Sequence, residues 1–252
     1  MGLTNAVALV TGGSGGLGAC ICAHLAQAGV DVAVGFKSGP DRAEGTAATH
    51  RAGGRRAITV SLDQASPASI EDAIAAVIAE FGRLDILINN AAITTGGHDI
   101  APGDLAALTP EIWDEIMSIN LRGPYLVTRA AAPHLRASDW GRVVNIGSTV
   151  GKGEWYADRA FAPSKAAVVP LTRFLAASLA PDVTVNCVCP GIMPETTLAT
   201  GGPPELYQRW RDRAALGTTT ALDDVARQVV AACASPTMTG QSIVVDGGIH
   251  FD

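Results

Sequence analysis

The chain has 252 residues, of which 48% are hydrophobic and 17% charged, and it contains 28 glycines but only three tyrosines. A chain of this length buries about 70–75% of its unfolded surface, so it folds without needing disulfides or a structural metal. The 18 Lys and Arg against 24 Asp and Glu give a net charge of −6, which provides no long-range attraction for nucleic acid or anionic membranes. We therefore expect neither as a partner.

The sequence also bears on location and cysteine chemistry. No apolar run approaches the roughly 20 residues of a membrane-spanning helix, and the N-terminus lacks the features of a signal peptide, so we expect a cytoplasmic protein. The five cysteines are Cys20, Cys22, Cys187, Cys189 and Cys233. Their Cys-x-Cys pairs do not have zinc-site spacing, and we find no histidine close to either pair. We predict buried, inert thiols and no metal.

Short apolar strands alternate with helices along the chain. The N-terminal part predicts strands at residues 6–10, 30–34, 57–60 and 84–88, and helices at 17–28, 41–52 and 69–81. The C-terminal part predicts helices at 110–135, 164–179 and 223–234, strands at 142–146, 183–188 and 242–245, and a loop-rich stretch up to residue 217. This alternation is typical of a parallel sheet covered on both faces. We predict one doubly wound, Rossmann-type α/β domain over residues 1–252.

A glycine-rich segment, TGGSGGLG at residues 11–18, follows the first predicted strand and opens the first helix. Without Cβ atoms at Gly12, Gly16 and Gly18, the backbone can turn sharply and a pyrophosphate can approach the helix N-terminus. In this strand-turn-helix setting the motif predicts nucleotide binding.

The end of the second strand bears on which dinucleotide binds, because the adenosine ribose lies there. An acidic residue would bind the 2′-hydroxyl of NAD, but this chain has Lys37 and Ser38. A cation and a hydroxyl suit a 2′-phosphate, so we predict NADP(H), with NAD(H) as the alternative; Lys37 could also be a solvated surface lysine. Asp63, after the third strand, is placed to accept a hydrogen bond from the adenine amino group or to cap the next helix.

Further motifs follow in order along the chain. They are NNAA at 89–92, SINLRG around Asn120, VVNIG before Ser148, APSKAA around Lys165, PG at 190–191 and DGG at 246–248. With the glycine-rich segment, they resemble the short-chain dehydrogenase/reductase family from end to end. The resemblance implies an oxidoreductase that acts on a small organic substrate and assembles as a homotetramer or homodimer.

The resemblance also implies roles for individual cofactor-binding residues. Those expected at the pyrophosphate are Gly12, Ser14, Gly16, Leu17 and Gly18. Those expected beside the adenosine are Asn90 and Ala91, and those at the nicotinamide and its ribose are Lys165, Pro190, Gly191, Ile192 and Thr196. Thr196 comes slightly later than the family's threonine, as if after a small insertion.

One position departs from the family's catalytic set of Asn, Ser, Tyr and Lys. Asn120, Ser148 and Lys165 match three members, but the position thirteen after Ser148 and four before Lys165 holds Phe161. Positions i and i+4 share a helix face, so Phe161 is expected to point into the same pocket as Lys165, with no proton to give. Loss of a positioned general acid costs about 10²–10⁴ in rate.

Four interpretations of Phe161 stay open. In the first, the substrate is an iminium or polarised alkene whose reduction does not need the tyrosine, and in the second, another acid replaces the tyrosine. In the third, the chain is a non-redox cyclase or dehydratase, or an NADPH-binding protein. In the fourth, Phe161 was engineered into an ordinary ketone reductase. Candidate acids near the pocket are Glu154, Tyr156, Asp158 and His98. Ser148 and Tyr207 are further candidate substrate contacts, Tyr207 in a substrate loop at about 191–217 that could instead be a surface helix.

Overall fold

The computed structural model describes residues 2–94, 100, 104–152, 160–196 and 204–251. The strands are β1 (Val7–Val10), β2 (Asp31–Phe36), β3 (Ala57–Ser61), β4 (Ile86–Asn89), β5 (Gly141–Ile146), β6 (Val183–Pro190) and β7 (Ser242–Val245). The helices are α1 (Gly16–Gln27), α2 (Pro40–Ala52), α3 (Pro67–Phe81), α4 (Pro110–Met117), α5 (Gly123–Ala137), α6 (Phe161–Leu179), α7 (Pro204–Arg213) and α8 (Leu222–Ala234).

The seven strands form one parallel sheet in the order β3-β2-β1-β4-β5-β6-β7. The chain reverses its direction of travel across the sheet between β1 and β4. Ligands of such sheets bind in the crevice at the carboxyl ends of the strands on either side of this switch point. The predicted doubly wound α/β fold is confirmed.

The sheet is buried on both faces because alternate strand residues point to opposite sides. Ala8 and Val10 of β1 belong to a core cluster with residues of α1 and α8. Val7 and Leu9 belong to a second cluster with residues of α3, α5 and α6. This two-sided burial explains why the strands are almost wholly apolar.

Three helical regions differ from the prediction. The predicted helix at 110–135 is divided into α4 and α5 by a π-helical turn, Ser118–Arg122, which precedes Pro124, a residue that has no N–H to continue the regular pattern. Helix α6 begins at Phe161, three residues before the predicted start. The predicted loop up to residue 217 contains α7, so that prediction was wrong over Pro204–Arg213.

The sequence left helix α7 undecided between loop and surface helix because most of its surface is polar. Trp210 is its one buried residue, at 3% exposed, so there is no apolar repeat to recognise. Its charges nevertheless suit a helix, with Glu205 in the first turn and Arg211 and Arg213 in the last. No helix in the described ranges is both long and apolar enough to cross a membrane.

Candidate active site

The glycine-rich turn joins β1 to α1 at the switch point of the sheet. Gly12 has a φ of 62°, a left-handed conformation that glycine adopts without strain. A Cβ on Gly18 would lie 2.2 Å from the Gly12 carbonyl oxygen, so no side chain fits there. Helix α1 begins after Gly15 with no side-chain cap, which leaves backbone N–H groups of its first turn for an anion. The turn therefore fits a dinucleotide pyrophosphate.

Two other residues expected at the pyrophosphate lie in the same segment. Ser14 is half-buried in the turn. Leu17 is buried and packs into the core between the sheet and α1. Leu17 can therefore contribute packing and a backbone N–H, whereas Ser14 can also contribute a hydroxyl.

Asn90 fastens the glycine-rich turn to the end of β4. Its Nδ2 donates to the carbonyl oxygens of Thr11 and Gly12, at 3.0 and 3.1 Å. In return, Thr11 Oγ1 accepts from the backbone N–H groups of Asn90 and Ala91, both at 3.0 Å. The structure thus brings Asn90 and Ala91 to the turn, and Asn90 acts there as a brace between two strand ends.

Lys37 and Asp63 form an ion pair at the expected adenosine end. Lys37 Nζ lies 2.9 Å from Asp63 Oδ2, and the Lys37 side chain is 58% exposed. Burial alone would raise the pKa of the Asp63 carboxyl, but hydrogen bonds from Lys37 and from the Ala65 N–H, with the charge of Lys37, lower it overall. Ser66 caps α3, so the capping alternative for Asp63 was wrong. Ser38 is exposed beside Lys37.

Phe161 and Lys165 lie one turn apart on α6. Lys165 Nζ is 5.7 Å from the centre of the Phe161 ring and donates to the Ile146 carbonyl oxygen at 2.8 Å. Lys165 is only 4% exposed, and burial lowers its pKa from 10.5 to about 8, although the neighbouring Cys187 and Cys189 thiols act in the opposite direction. Within the described residues, no carboxylate forms a salt bridge with it.

Ser148 follows β5 at the same edge of the sheet. Its Oγ accepts from the Val150 N–H at 3.3 Å, and its carbonyl accepts from the Gly151 N–H at 3.4 Å. The next residue, Thr149, is fully buried and donates to the Pro190 carbonyl oxygen at 3.2 Å, tying β5 to β6. Ser148 is half-buried, and its accepting hydroxyl still has its own proton to donate.

Asn120 lies in the π-helical turn and positions the start of α6. Its Oδ1 accepts from the Ile93 N–H at 2.9 Å, and its Nδ2 donates to the Ile93 carbonyl at 2.8 Å. The same Nδ2 is 3.0 Å from Ser164 Oγ, which donates to the Phe161 carbonyl at 2.7 Å. Asn120 therefore connects the segment after β4 to the first turn of α6. Its membership of the catalytic set stays a prediction.

The segment after β6 forms another wall of the crevice. The Gly191 N–H donates to the Val245 carbonyl at 2.9 Å, and the Thr220 N–H donates to the Ile192 carbonyl at 3.0 Å. A Cβ on Gly191 would lie 2.7 Å from Thr220 Oγ1, so the backbone passes where no side chain fits. Pro190, Gly191 and Ile192 are thus held in place beside the carboxyl end of β7, and their nicotinamide contacts stay predictions.

Thr196 is brought back to the glycine-rich turn. Its N–H and hydroxyl both donate to the Met193 carbonyl, at 3.1 and 2.9 Å, in a tight turn that accommodates the small insertion. A Cβ on Gly16 would lie 3.3 Å from the Glu195 carbonyl oxygen and 3.6 Å from the Thr196 Cα. Thr196 therefore lies beside the predicted pyrophosphate site, and its carboxamide contact stays a prediction.

Five other candidate residues from the sequence are not described at the crevice, four because they fall outside the described residues and one because it lies on α7. His98 and Tyr156 lie outside the described residues, as do Glu154 and Asp158. Tyr207 is half-buried on α7, so the surface-helix alternative for it is confirmed, and its role as a substrate contact stays a prediction.

The positions of the cysteines differ from the prediction in one respect, the distance from a cysteine pair to the nearest histidine. All five are free, and four are buried, but Cys20 is only partly buried. His24 lies one turn after Cys20 on α1, and both lie near Asp223 of α8. The inference that no histidine lies close to a cysteine pair was therefore wrong, because a separation of four residues on a helix brings side chains together.

Sequence reasoning missed a buried polar network beneath the crevice. Asn89 Nδ2 donates to Asn145 Oδ1 at 2.8 Å and to Thr128 Oγ1 at 3.0 Å. Asn145 Nδ2 donates to Thr172 Oγ1 at 2.9 Å, which links the central strands to α6. An Asn within an otherwise apolar strand was the available signal, because buried amides need hydrogen-bond partners.

Comparison with known proteins agrees with this architecture. Residues 6–203 match the family model described as short chain dehydrogenase. The chain is 34% identical over 249 residues to acetoacetyl-CoA reductase of Rhizobium meliloti (strain 1021), covering 97% of this chain and 98% of the relative. A solved dehydrogenase/reductase from Sinorhizobium meliloti 1021 superposes with a TM-score of 0.90 at 33% identity, covering 99% of this chain and 98% of that chain.

A second solved structure carries a cofactor. It is a short chain dehydrogenase from Burkholderia cenocepacia J2315 in complex with NADP, with a TM-score of 0.89, 35% identity and 99% of both chains covered. Similarity at this level spans the glycine-rich turn, the strand ends and α6 together. The chain therefore belongs to the short-chain dehydrogenase/reductase family of oxidoreductases.

Proposed function

We propose that the chain is an NADP(H)-dependent oxidoreductase that reduces a C=O, C=N or polarised C=C bond of a small organic substrate without a tyrosine proton donor. The observation that carries this proposal is the contact between Lys165 and Phe161. The family's tyrosine position, by the spacing from Ser148 and Lys165, is occupied by a ring with no oxygen. NADPH, when bound, supplies the hydride.

The preference for NADPH over NADH rests on the adenosine end. The Lys37 side chain is largely exposed, so a ligand can reach its amine, and its positive charge suits a 2′-phosphate. The ion pair with Asp63 shows the direction in which the side chain extends. The solved relative in complex with NADP supports the same cofactor. Asp63 would keep Lys37 close to the site, and NADH would lack the phosphate that Lys37 binds.

For a carbonyl substrate, Lys165 is the proton source that the geometry favours. Hydride arrives at the carbonyl carbon as that carbon is reduced, and the oxygen becomes an alkoxide that must take one proton. The ammonium of Lys165 releases this proton and regains one from solvent. A pKa of about 8 makes a lysine a usable acid near neutral pH, because general acids work best close to the operating pH. Ser148 would donate a hydrogen bond to the same oxygen.

The relatives point to a first substrate class. Acetoacetyl-CoA, named for the Rhizobium meliloti relative, is a 3-oxoacyl thioester, so we propose this class as the first to test. The segment at about 191–217 would contact the acyl chain, because loops beside a rigid sheet set specificity. Phe161 favours a second class, iminium ions, since hydride addition turns them into neutral amines without a proton.

The test follows NADPH consumption at its absorbance band with acetoacetyl-CoA or a cyclic iminium as substrate. For the thioester, Phe161→Tyr should raise kcat/KM by about 10²-fold, while the matched Phe161→Leu should not. For the iminium, both variants should resemble the parent chain. If NADPH binds but no substrate of either class oxidises it, the oxidoreductase proposal is wrong and a non-redox role is favoured.

We further propose a cytoplasmic homotetramer. The outer face of α4, α5 and α6 carries Trp113, Tyr125 and Phe174 at 37%, 39% and 57% exposed. A shallow groove of about 540 Å³ beside them is lined by residues that include Leu121 and Leu171. Apolar patches of this kind mark contacts between proteins. Light scattering should give a tetramer mass, which Phe174→Arg should reduce; a monomeric parent chain would contradict the proposal.

A further inference from the structure

A cysteine, a histidine and an aspartate meet at the surface where α1 packs against α8. Cys20 and His24 are four residues apart and share one face of α1, and Asp223 is the second residue of α8. Their potential ligand atoms all lie within 4.8 Å of one another. This place lies outside the crevice at the switch point and is unused by the proposed reaction.

The separations suit a small metal ion. His24 Nε2 and Asp223 Oδ1 are 2.6 Å apart. In a tetrahedral site with bonds of about 2.0–2.3 Å, ligand atoms lie about 3.4–3.6 Å apart. The His24–Asp223 pair would open by about 1 Å and Cys20 would approach, which are movements within the range of side-chain rotations. The fourth position would be filled by water, as at zinc sites that keep one open position.

A fourth residue orients the carboxylate. Arg227 Nη1 lies 2.7 Å from Asp223 Oδ2, while Oδ1 of the same carboxylate faces His24. The two oxygens therefore have separate partners, and a metal can replace the His24 contact without breaking the one to Arg227. Residues that hydrogen-bond to a metal-ligating side chain orient it and so change the metal affinity of the site.

We propose that Cys20, His24 and Asp223 bind a divalent cation of the zinc class. A thiolate and an imidazole favour zinc or cobalt over magnesium or calcium, which prefer oxygen ligands. The Cys20 thiol releases its proton to solvent on binding, and no oxidation is involved. The bound ion would clamp α1 to α8.

This clamp would act close to the cofactor turn. Leu222, beside Asp223, places its Cδ1 3.9 Å from where a Cβ of Gly16 would lie, so the start of α8 touches the start of α1. A metal that joins the two helices should therefore raise the melting temperature of the whole domain, because it binds the folded chain only.

The test is a cobalt titration of the metal-stripped chain, followed by absorbance. We expect one Co²⁺ per chain, with a thiolate charge-transfer band in the near ultraviolet and strong visible bands of tetrahedral cobalt. Cys20→Ser should abolish the charge-transfer band, and His24→Asn should weaken binding at least tenfold. Arg227→Gln should weaken it about tenfold, as loss of an outer partner typically does.

Matched controls separate this site from adventitious binding. Cys233→Ala and His134→Asn remove a cysteine and a histidine elsewhere and should leave the titration unchanged. Far-UV circular dichroism and NADPH affinity establish that each variant is folded. The absence of a cobalt spectrum in the folded parent chain overturns the proposal, as does a spectrum that survives Cys20→Ser.

Discussion

The Nζ atom of Lys165 lies 5.7 Å from the centre of the Phe161 ring, one helical turn away on α6. The ring faces a cation and carries no hydroxyl, so it can neither donate a proton nor be made more acidic by the lysine. Among the described residues, the polar contact of this cation is with the Ile146 carbonyl oxygen, to which it donates at 2.8 Å. Under the proposed mechanism, carbonyl reduction at this site depends on the charge state of Lys165.

A pH profile tests Lys165 as the proton donor. The Lys165 amine can act as an acid only in its protonated form, and burial lowers its pKa to about 8. The kcat for acetoacetyl-CoA reduction should be constant below pH 8 and fall about tenfold per pH unit above it. Iminium reduction needs no proton, so its profile should lack this fall. A carbonyl profile that stays flat to about pH 10 would rule out this donor.

The same burial should cost stability. The pKa of Lys165 is about 8 in the fold against 10.5 when exposed, so between these values the unfolded chain binds the extra proton. The contribution of Lys165 to stability is therefore least favourable below pH 8 and becomes more favourable as pH increases towards 10.5. This pKa shift corresponds to a cost of about 3 kcal/mol for burying the charged amine. Replacing the lysine would remove that cost but would also leave the Ile146 carbonyl without its donor, which takes back about 1 kcal/mol.

Lys165→Met should accordingly stabilise the chain by about 2 kcal/mol at pH 7 while abolishing carbonyl reduction. Urea unfolding at pH 7 and pH 10 measures this, with the neighbouring Ala166→Ser as a control for α6. The gain should shrink at pH 10. A variant less stable than the parent at pH 7 would show that the lysine contributes favourable contacts that exceed its burial cost.

The apolar pattern predicted the strands because short, wholly apolar runs between helices are typical of a sheet that is buried on both faces. The four residues of β1 are all buried, and the predicted strand at 6–10 covers them. The glycine-rich turn was also predictable, because the glycine motif stands directly between a predicted strand and a predicted helix, and this arrangement is typical of a nucleotide-binding turn. Helix α7 was not, because burial of Trp210 alone leaves no periodic signal.

Pairings between distant residues were not predictable from pattern. Lys37 and Asp63 follow neighbouring strands, and they meet because β2 and β3 pair with Phe36 opposite Ser61. Asn89 and Asn145 meet because they stand opposite each other on β4 and β5. A shift of one residue in either register would separate these side chains, and register is a property of the folded sheet that sequence periodicity does not contain.

Cofactor preference tests the Lys37 proposal. Lys37→Gln removes the charge that would face a 2′-phosphate, so NADPH should bind about tenfold more weakly, the loss of one charge-assisted hydrogen bond. NADH affinity should change less than twofold, because NADH has no phosphate there. Quenching of intrinsic fluorescence measures both affinities, and Ser38→Ala serves as the adjacent control. Equal losses for both cofactors would mean that Lys37 acts through Asp63 on the adenosine pocket and not on the phosphate.

Two glycines of the same turn should respond differently to one methyl group. A Cβ on Gly18 would lie 2.2 Å from the Gly12 carbonyl oxygen and 2.9 Å from Asn90 Nδ2, whereas a Cβ on Gly15 would be 3.6 Å from its nearest neighbour. Gly18→Ala should therefore push the turn away from β4, cost about 1–3 kcal/mol or more of stability and weaken NADPH binding at least tenfold. Gly15→Ala, with a φ of −92° that any residue adopts, should change stability by less than about 0.5 kcal/mol. Urea unfolding and NADPH titration of the two variants measure the difference. Equal effects would mean that the turn yields to the added methyl group, and that Asn90 does not fix it against the end of β4.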